Sequence, residues 1–290
     1  MTAACSPGVD TGFVSLGYAK VAWLGLVQGV TELLPIYSTA HMRVVPALLG
    51  WRDPGAAFSA AMQLAALVAV VSYFRRDVVR LAGGSVSAIP QRRFDDADLR
   101  LTLRIGLATL PIVIAGAALS TILNQCASPL RSLTVIGWAC IGMALLIALT
   151  EITARHRCTV ESSSLVDAIL VGLAQVGALI PGISRSGSTL TAALALIFRR
   201  EEAARFSFLI GIPAIALAAL KEIWELHRPG LDLRGWSVLM VGLLTASISA
   251  FIAIWALMRI LERFSAWPFV VYQGLLGVLF LIMMAWSSFA

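Results

Sequence analysis

Residues 28 to 43, QGVTELLPIYSTAHMR, place an acid, a hydroxyl, an imidazole and a guanidinium in a stretch that is otherwise apolar. Glu32 follows Gln28 by one helical turn, so on a helix the two side chains share a face. Pro35 ends that helix, and Ser38, Thr39, His41 and Arg43 follow. A serine hydroxyl with a carboxylate or an imidazole to take its proton is the equipment of nucleophilic attack, here with Ser38 as nucleophile and Glu32 or His41 as base. Glu32, with Gln28 beside it, is also a candidate ligand for a divalent cation, Mg2+ or Ca2+. A second stretch, PGISRSGST at 181 to 189, carries different chemistry. It holds two glycines, four hydroxyls (Ser184, Ser186, Ser188, Thr189) and one guanidinium, Arg185. Backbone N–H groups opening a helix, hydroxyls and an arginine together suit a phosphate, with Ser186 and Gly187 supplying the amides. The spacing leaves serine attack and metal-activated water both open. Each feature also has a structural reading: a buried glutamate satisfied by a neighbouring donor, an Arg43 that snorkels to the surface, a tight turn with an incidental arginine. Ionisable groups at membrane depth are costly, which favours function.

The setting is a membrane. Of 290 residues 59% are hydrophobic and 13% charged, and the mean hydropathy is +0.88; a soluble domain carries about 25% charged residues. The net charge of +6 comes from arginines concentrated in a few short segments, the pattern of a positive-inside bias rather than of a nucleic-acid partner. The four cysteines, Cys5, Cys126, Cys140 and Cys158, form no CxxC pair and no zinc spacing, and Cys140 reads as plain packing. The N-terminus lacks a basic region followed by an apolar one, so no cleavable signal peptide is expected.

Six segments read as full spans, roughly 55–74, 102–123, 132–150, 204–222, 235–258 and 267–288; each is long enough, or nearly so, for a hydrocarbon core of about 30 Å. Two other apolar regions are broken, 18–49 at Pro35 and 165–198 at Pro181-Gly182. Their halves suit segments that enter the membrane and turn back, and such breaks are tolerated only where protein or a wet cavity surrounds them. GLVQGVTELLPIYS (25–38) aligns with GLAQVGALIPGIS (172–184), and the FS pairs at Phe58 and Phe206 follow at similar distances. The expected architecture is an all-α polytopic membrane protein of about ten helical segments in a single domain, with repeats at about 18–150 and 165–288, each a re-entrant hairpin plus three spans. An odd number of spans per repeat inverts the second copy. Arginines place 75–101 inside, with 151–164, 199–203 and 259–266, and both termini outside. The two hairpin tips are then expected to meet near the midplane.

QGVTELLPIYSTAH, PGISRSGST and FSFLIGIPA together resemble the bacterial undecaprenyl-diphosphatase family of the bacitracin-resistance type, over essentially the whole chain. The resemblance implies hydrolysis of undecaprenyl diphosphate to undecaprenyl phosphate and phosphate at the outer face of the cytoplasmic (inner) membrane. That recycles the lipid carrier for peptidoglycan and other cell-wall synthesis and confers bacitracin resistance. Carried over by position, the acidic motif falls on Gln28 and Glu32, the essential serine on Ser38, the histidine on His41, the arginine on Arg185 and its flanking serines on Ser184 and Ser186. Thr39 and Gly187 complete the substrate-binding candidates. The expected partners are the lipid substrate and bacterial membrane lipids; a homodimer is left open, and no organic cofactor is expected. Two positions depart from the family pattern: Tyr37 stands where a serine is usual and Ala40 where a glycine is usual. Two other classes compete, a polyprenyl-phosphate carrier or flippase and an inactive diphosphate-lipid binder. A carrier needs the anion site but has no use for a nucleophile beside a base.

Overall fold

The computed structural model describes residues 11–119, 132–227 and 231–287. Among the described residues there are eleven α-helices and no strand: α1 (Phe13–Leu33), α2 (Ser38–Leu48), α3 (Ala56–Tyr73), α4 (Arg75–Ala88), α5 (Ala97–Ala118), α6 (Leu133–Thr153), α7 (Leu165–Val176), α8 (Arg185–Ala195), α9 (Arg200–His227), α10 (Leu233–Arg263) and α11 (Trp267–Ser287). Among the described residues six of them, α1, α5, α6, α9, α10 and α11, are long and apolar enough to cross a membrane; this set includes α1, expected as a short arm of a broken region, and leaves out the expected span 55–74, of which Ala61–Tyr73 is a shorter apolar helix. The architecture is therefore all-α and polytopic. The helices gather into two compact units, one made by the chain up to Tyr73 with Ile215–Ala256, the other by Phe74–Ala214 with the chain from Leu257 onward.

Both expected breaks are present, and both arise from proline. The ring of Pro35 pushes Leu34 to ψ 152°, and that of Pro181 pushes Ile180 to ψ 120°; the residue before a proline is sterically driven out of the helical region. Each break is followed by a short helix, α2 or α8, each of 11 residues. The arm before the second break, α7, has 12 residues and ends in a 3-10 turn at Gly177–Leu179. The arm before the first, α1, spans 21 residues, but Gly17 at φ 75°, ψ 174° interrupts its path, leaving a regular stretch from Tyr18 to Leu33.

In the first unit the hairpin is fixed by close packing. A Cβ on Gly25 would strike Gly242 O and Thr245 Oγ1 of α10, and one on Gly29 would strike Ala246 O and Ser249 Oγ. Small residues one turn apart let two backbones touch, a common device between membrane helices. Met42 of α2 is buried in the cluster formed by Phe13, Leu24, Phe58, Met62 and Leu239. It anchors the returning arm, while Phe58 packs on Phe13 at 5.5 Å between ring centres.

In the second unit α11 packs along α6, and α5 along α7. Phe206 stacks on Phe198 at 5.4 Å. The segments 75–101, 151–164 and 199–203, assigned to one side of the membrane from their arginines, lie together here. Arg205 holds Asp77 and Glu161, Arg80 reaches Asp98 and Glu161, and Val160 N donates to Glu202. Burial alone would raise the Glu161 carboxyl, but its own backbone N–H with Arg205 and Arg80 holds it below the ordinary carboxylate range. Segment 75–101 is not merely a connection. It contains α4, whose Leu81, Ser85 and Ala88 form a buried stripe, and Asp96 caps α5 by accepting from Asp98 N and Leu99 N. The helix therefore starts earlier than the apolar run at 102, and residues 120–123 of that expected span lie outside the described residues.

Replacing Gly29 by leucine is expected to lower the thermal midpoint of the detergent-purified protein strongly, by about 1–3 kcal/mol of stability. Leucine at the neighbouring exposed Val30 should leave it unchanged.

Candidate active site

One group of candidate residues belongs to the α1–α2 hairpin. Helical spacing puts Gln28 and Glu32 on one face, and Pro35 turns the chain so that Ser38 opens α2 facing back to that acid. Ser38 Oγ donates to Glu32 Oε2 at 2.7 Å, and Gln28 Nε2 donates to the same oxygen at 2.8 Å. The other oxygen, Oε1, accepts from Gln63 Nε2 of α3 at 2.7 Å. Three neutral donors thus compensate the removal of the carboxylate from water, each charge-assisted bond being worth roughly 1.5–3 kcal/mol. Gln28 is buried, and its amide oxygen has no hydrogen-bond partner among the described residues. His41 Nδ1 donates to the Tyr37 carbonyl at 2.9 Å, which selects the tautomer with its lone pair on Nε2. Thr39 and Arg43 are exposed, and neither enters the Ser38–Glu32 cluster.

A separate group of candidate residues lies at the turn into α8. Gly182 has φ +103°, and a Cβ there would collide with Ala139 and the Ile136 carbonyl, so only glycine fits. Its carbonyl accepts from Gln273 Nε2 of α11 at 3.2 Å and from Cys140 Sγ of α6 at 3.4 Å. Cys140 is therefore more than packing. Ser184 caps the helix, accepting from Gly187 N at 3.3 Å and sharing a 3.1 Å hydrogen bond with Ser186 Oγ. The Gly187 amide expected to bind phosphate is thus already engaged, by a long bond. Ser188 and Thr189 turn their hydroxyls back to the Arg185 carbonyl at 3.0 and 2.9 Å, which commits them to the helix and leaves Arg185, Ser184 and Ser186 as the half-exposed or capping polar groups of the tip.

The residues overlooked in the sequence are glutamines. Gln63 holds the second oxygen of Glu32, Gln273 fixes the second turn, and Gln175 is fully buried with neither end of its amide hydrogen-bonded among the described residues. The signal was present: an amide inside an apolar span costs several kcal/mol when unpaired, which makes each such glutamine a residue to account for. Among the described residues no cluster of three His, Cys, Asp or Glu side chains could hold a metal unaided. One carboxylate with an unpartnered amide oxygen beside it does fit a cation that takes its remaining ligands from substrate phosphate and water.

The two departures from the family pattern look milder in three dimensions. Ala40 is buried within α2, and its backbone is not among those with positive φ. Tyr37 precedes α2 with extended backbone, and it is its carbonyl that fixes His41. Ala40→Gly is accordingly expected to lower stability by about 1 kcal/mol through lost helix propensity, read as a lower melting temperature, without raising turnover.

The family model described as bacitracin resistance protein BacA matches residues 21–279. Undecaprenyl-diphosphatase 2 of Mesorhizobium japonicum is 70% identical over 259 residues, 89% of this chain and 98% of its own. The undecaprenyl-diphosphatase of Gloeobacter violaceus is 46% identical over 270 residues, 93% of each chain. That of Synechococcus elongatus is 46% identical over 255 residues, 88% of each. With six apolar helices, two proline-broken hairpins and this extent of identity, the chain is a multi-pass membrane protein that belongs to the bacitracin resistance protein BacA family.

Proposed function

We propose that the protein hydrolyses undecaprenyl diphosphate to undecaprenyl phosphate and inorganic phosphate, and so recycles the lipid carrier of cell-wall synthesis and confers bacitracin resistance. The observation that carries the chemistry is the 2.7 Å hydrogen bond from Ser38 Oγ to Glu32 Oε2. A carrier or a passive binder has no need of a hydroxyl held on a carboxylate.

In the serine route Ser38 Oγ attacks the terminal phosphorus while Glu32 Oε2 takes its proton. The bond from phosphorus to the bridging oxygen breaks, and undecaprenyl phosphate leaves with the electron pair. Water then attacks the phosphoserine, giving its proton to a base and restoring Ser38. His41, with its lone pair on Nε2, is the second proton carrier we assign. Gln63 and Gln28 hold the carboxylate in the orientation that faces Ser38. Arg185, with Ser184, Ser186 and Gly187 at the start of α8, binds the phosphoryl oxygens and stabilises their charge. Thr39 is assigned to the substrate's approach. A divalent cation would be held by Glu32 and the amide oxygen of Gln28. There it would neutralise diphosphate charge and activate water. The site faces outward from the cytoplasmic membrane, the repeats are inverted, and both chain termini lie outside; the arginine distribution supports this orientation.

The test is phosphate release from undecaprenyl diphosphate by purified protein in detergent. Glu32→Gln, Ser38→Ala and Arg185→Ala should each lower kcat by about a hundredfold or more. Loss of activity in EDTA and its return with Mg2+ or Ca2+ would establish the cation. A Ser38→Ala enzyme that keeps most of its rate would rule out the serine route in favour of water. Gln63→Leu should reduce kcat with little change in KM, because it touches Glu32 and not the substrate. A wild-type protein that binds the lipid and releases no phosphate with any cation would overturn the enzyme reading.

A further inference from the structure

We infer that the groove between α5 and α7 seats the first isoprene units of the lipid tail, an inference that rests on the phosphatase reading above. The groove has a volume of about 530 Å³ and is lined by apolar side chains, chiefly Leu110, Ile114 and Ala115 of α5 and Ile169, Leu173 and Val176 of α7. Its position is set by two contacts. A Cβ on Gly172 of α7 would strike the Ala108 carbonyl of α5, so the backbones touch there; further on, Gly116 of α5 faces Leu179 Cδ2 at 4.0 Å. Paired positions rise together along both helices, so α5 and α7 run parallel, and both lead toward the same turn. The two contacts are eight residues apart along α5, roughly 12 Å of helix.

The occupant follows from where the groove ends. Val176 lines it, and the next residue, Gly177, lies against Ile183 Cγ2 at 3.8 Å from its Cβ position. Ile183 immediately precedes Ser184 and Arg185. An apolar channel therefore abuts the helix start to which the diphosphate is assigned. A ligand filling both has an anionic head and a hydrocarbon chain attached to it, and on the phosphatase reading that ligand is a prenyl diphosphate. Leu110, Ile114 and Leu173 are exposed, so the tail can enter sideways from the bilayer. Lipid chains offer similar apolar contacts elsewhere, so the groove acts by shape: it orients the tail so that the head reaches Arg185 in one pose.

The experiment fills the groove. Ala115→Trp and Leu173→Trp are compared with wild type and with Leu145→Trp, an exposed position on α6. KM and kcat are measured for farnesyl diphosphate and for methyl diphosphate, which has no tail. Both groove variants are expected to raise KM for farnesyl diphosphate about tenfold, the scale on which apolar pockets discriminate, and to treat methyl diphosphate as wild type does. Leu145→Trp should change neither. Unchanged KM for farnesyl diphosphate, or equal losses on both substrates, overturns the proposal. If wild type releases phosphate from neither, the phosphatase reading fails by itself. The groove is then judged by photolabelling with a farnesyl diphosphate bearing a diazirine on its tail. Labels at 107–115 and 169–176 displaced by farnesyl diphosphate but not by farnesol support it; labels elsewhere, or displaced equally by farnesol, overturn it.

Discussion

Everything in this protein depends on keeping polar atoms satisfied where the chain breaks inside an apolar setting. A break in a membrane helix frees backbone groups that lipid cannot bond, and a carboxylate beside it is costlier still. In the first hairpin the solution is Glu32 with Ser38, Gln28 and Gln63 all donating to it. In the second it is the Gly182 carbonyl, held by Gln273 and Cys140. Close helix packing holds the elements that carry these donors. Gly25 and Gly29 bring α1 onto α10, and Gly277 on α11 lies against Gly137 of α6.

The two hairpins share a plan and differ in chemistry. Each has an apolar arm, a residue driven extended by the following proline, and a short helix whose start carries a serine. In the first, that serine is turned back onto an acid. In the second it caps its own helix and helps present an arginine. The partner the serine meets differs between the two: the Glu32 carboxylate in the first, the Gly187 amide in the second. Gln28 and Gln175, in the arms that precede the two breaks, differ in the same way. The first has a carboxylate to donate to, and the second has no hydrogen-bond partner among the described residues.

Much of this was readable in the sequence because prolines and charges are loud signals in a hydrophobic chain. The breaks at Pro35 and Pro181 and the grouping of segments 75–101, 151–164 and 199–203 follow from local rules, which offered Ser38 two partners, Glu32 and His41; its hydroxyl meets Glu32. What escaped was quieter. The helix α4 hides in an arginine-rich segment because its buried stripe, Leu81, Ser85 and Ala88, has only one large apolar residue. The start of α5 is set by the Asp96 cap and not by hydropathy, since a helix continues past the hydrocarbon wherever its N–H groups find acceptors. Gln63 and Gln273 were passed over as ordinary members of apolar spans, although their partners are distant in sequence and could not be inferred from spacing.

The same local rules explain why the unusual Tyr37 and Ala40 are compatible with the site. Ser38 is aimed by three things: the extended backbone forced by Pro35, the start of α2, and the burial of Met42 that anchors that helix. None of the three requires a small side chain at 37 or a glycine at 40. Tyr37 contributes its carbonyl, which any residue would supply, and Ala40 lies within the helix body, where alanine is the better helix former. The constraint falls on backbone direction and on the donors around Glu32. Substitutions that respect both leave the hydroxyl on the carboxylate.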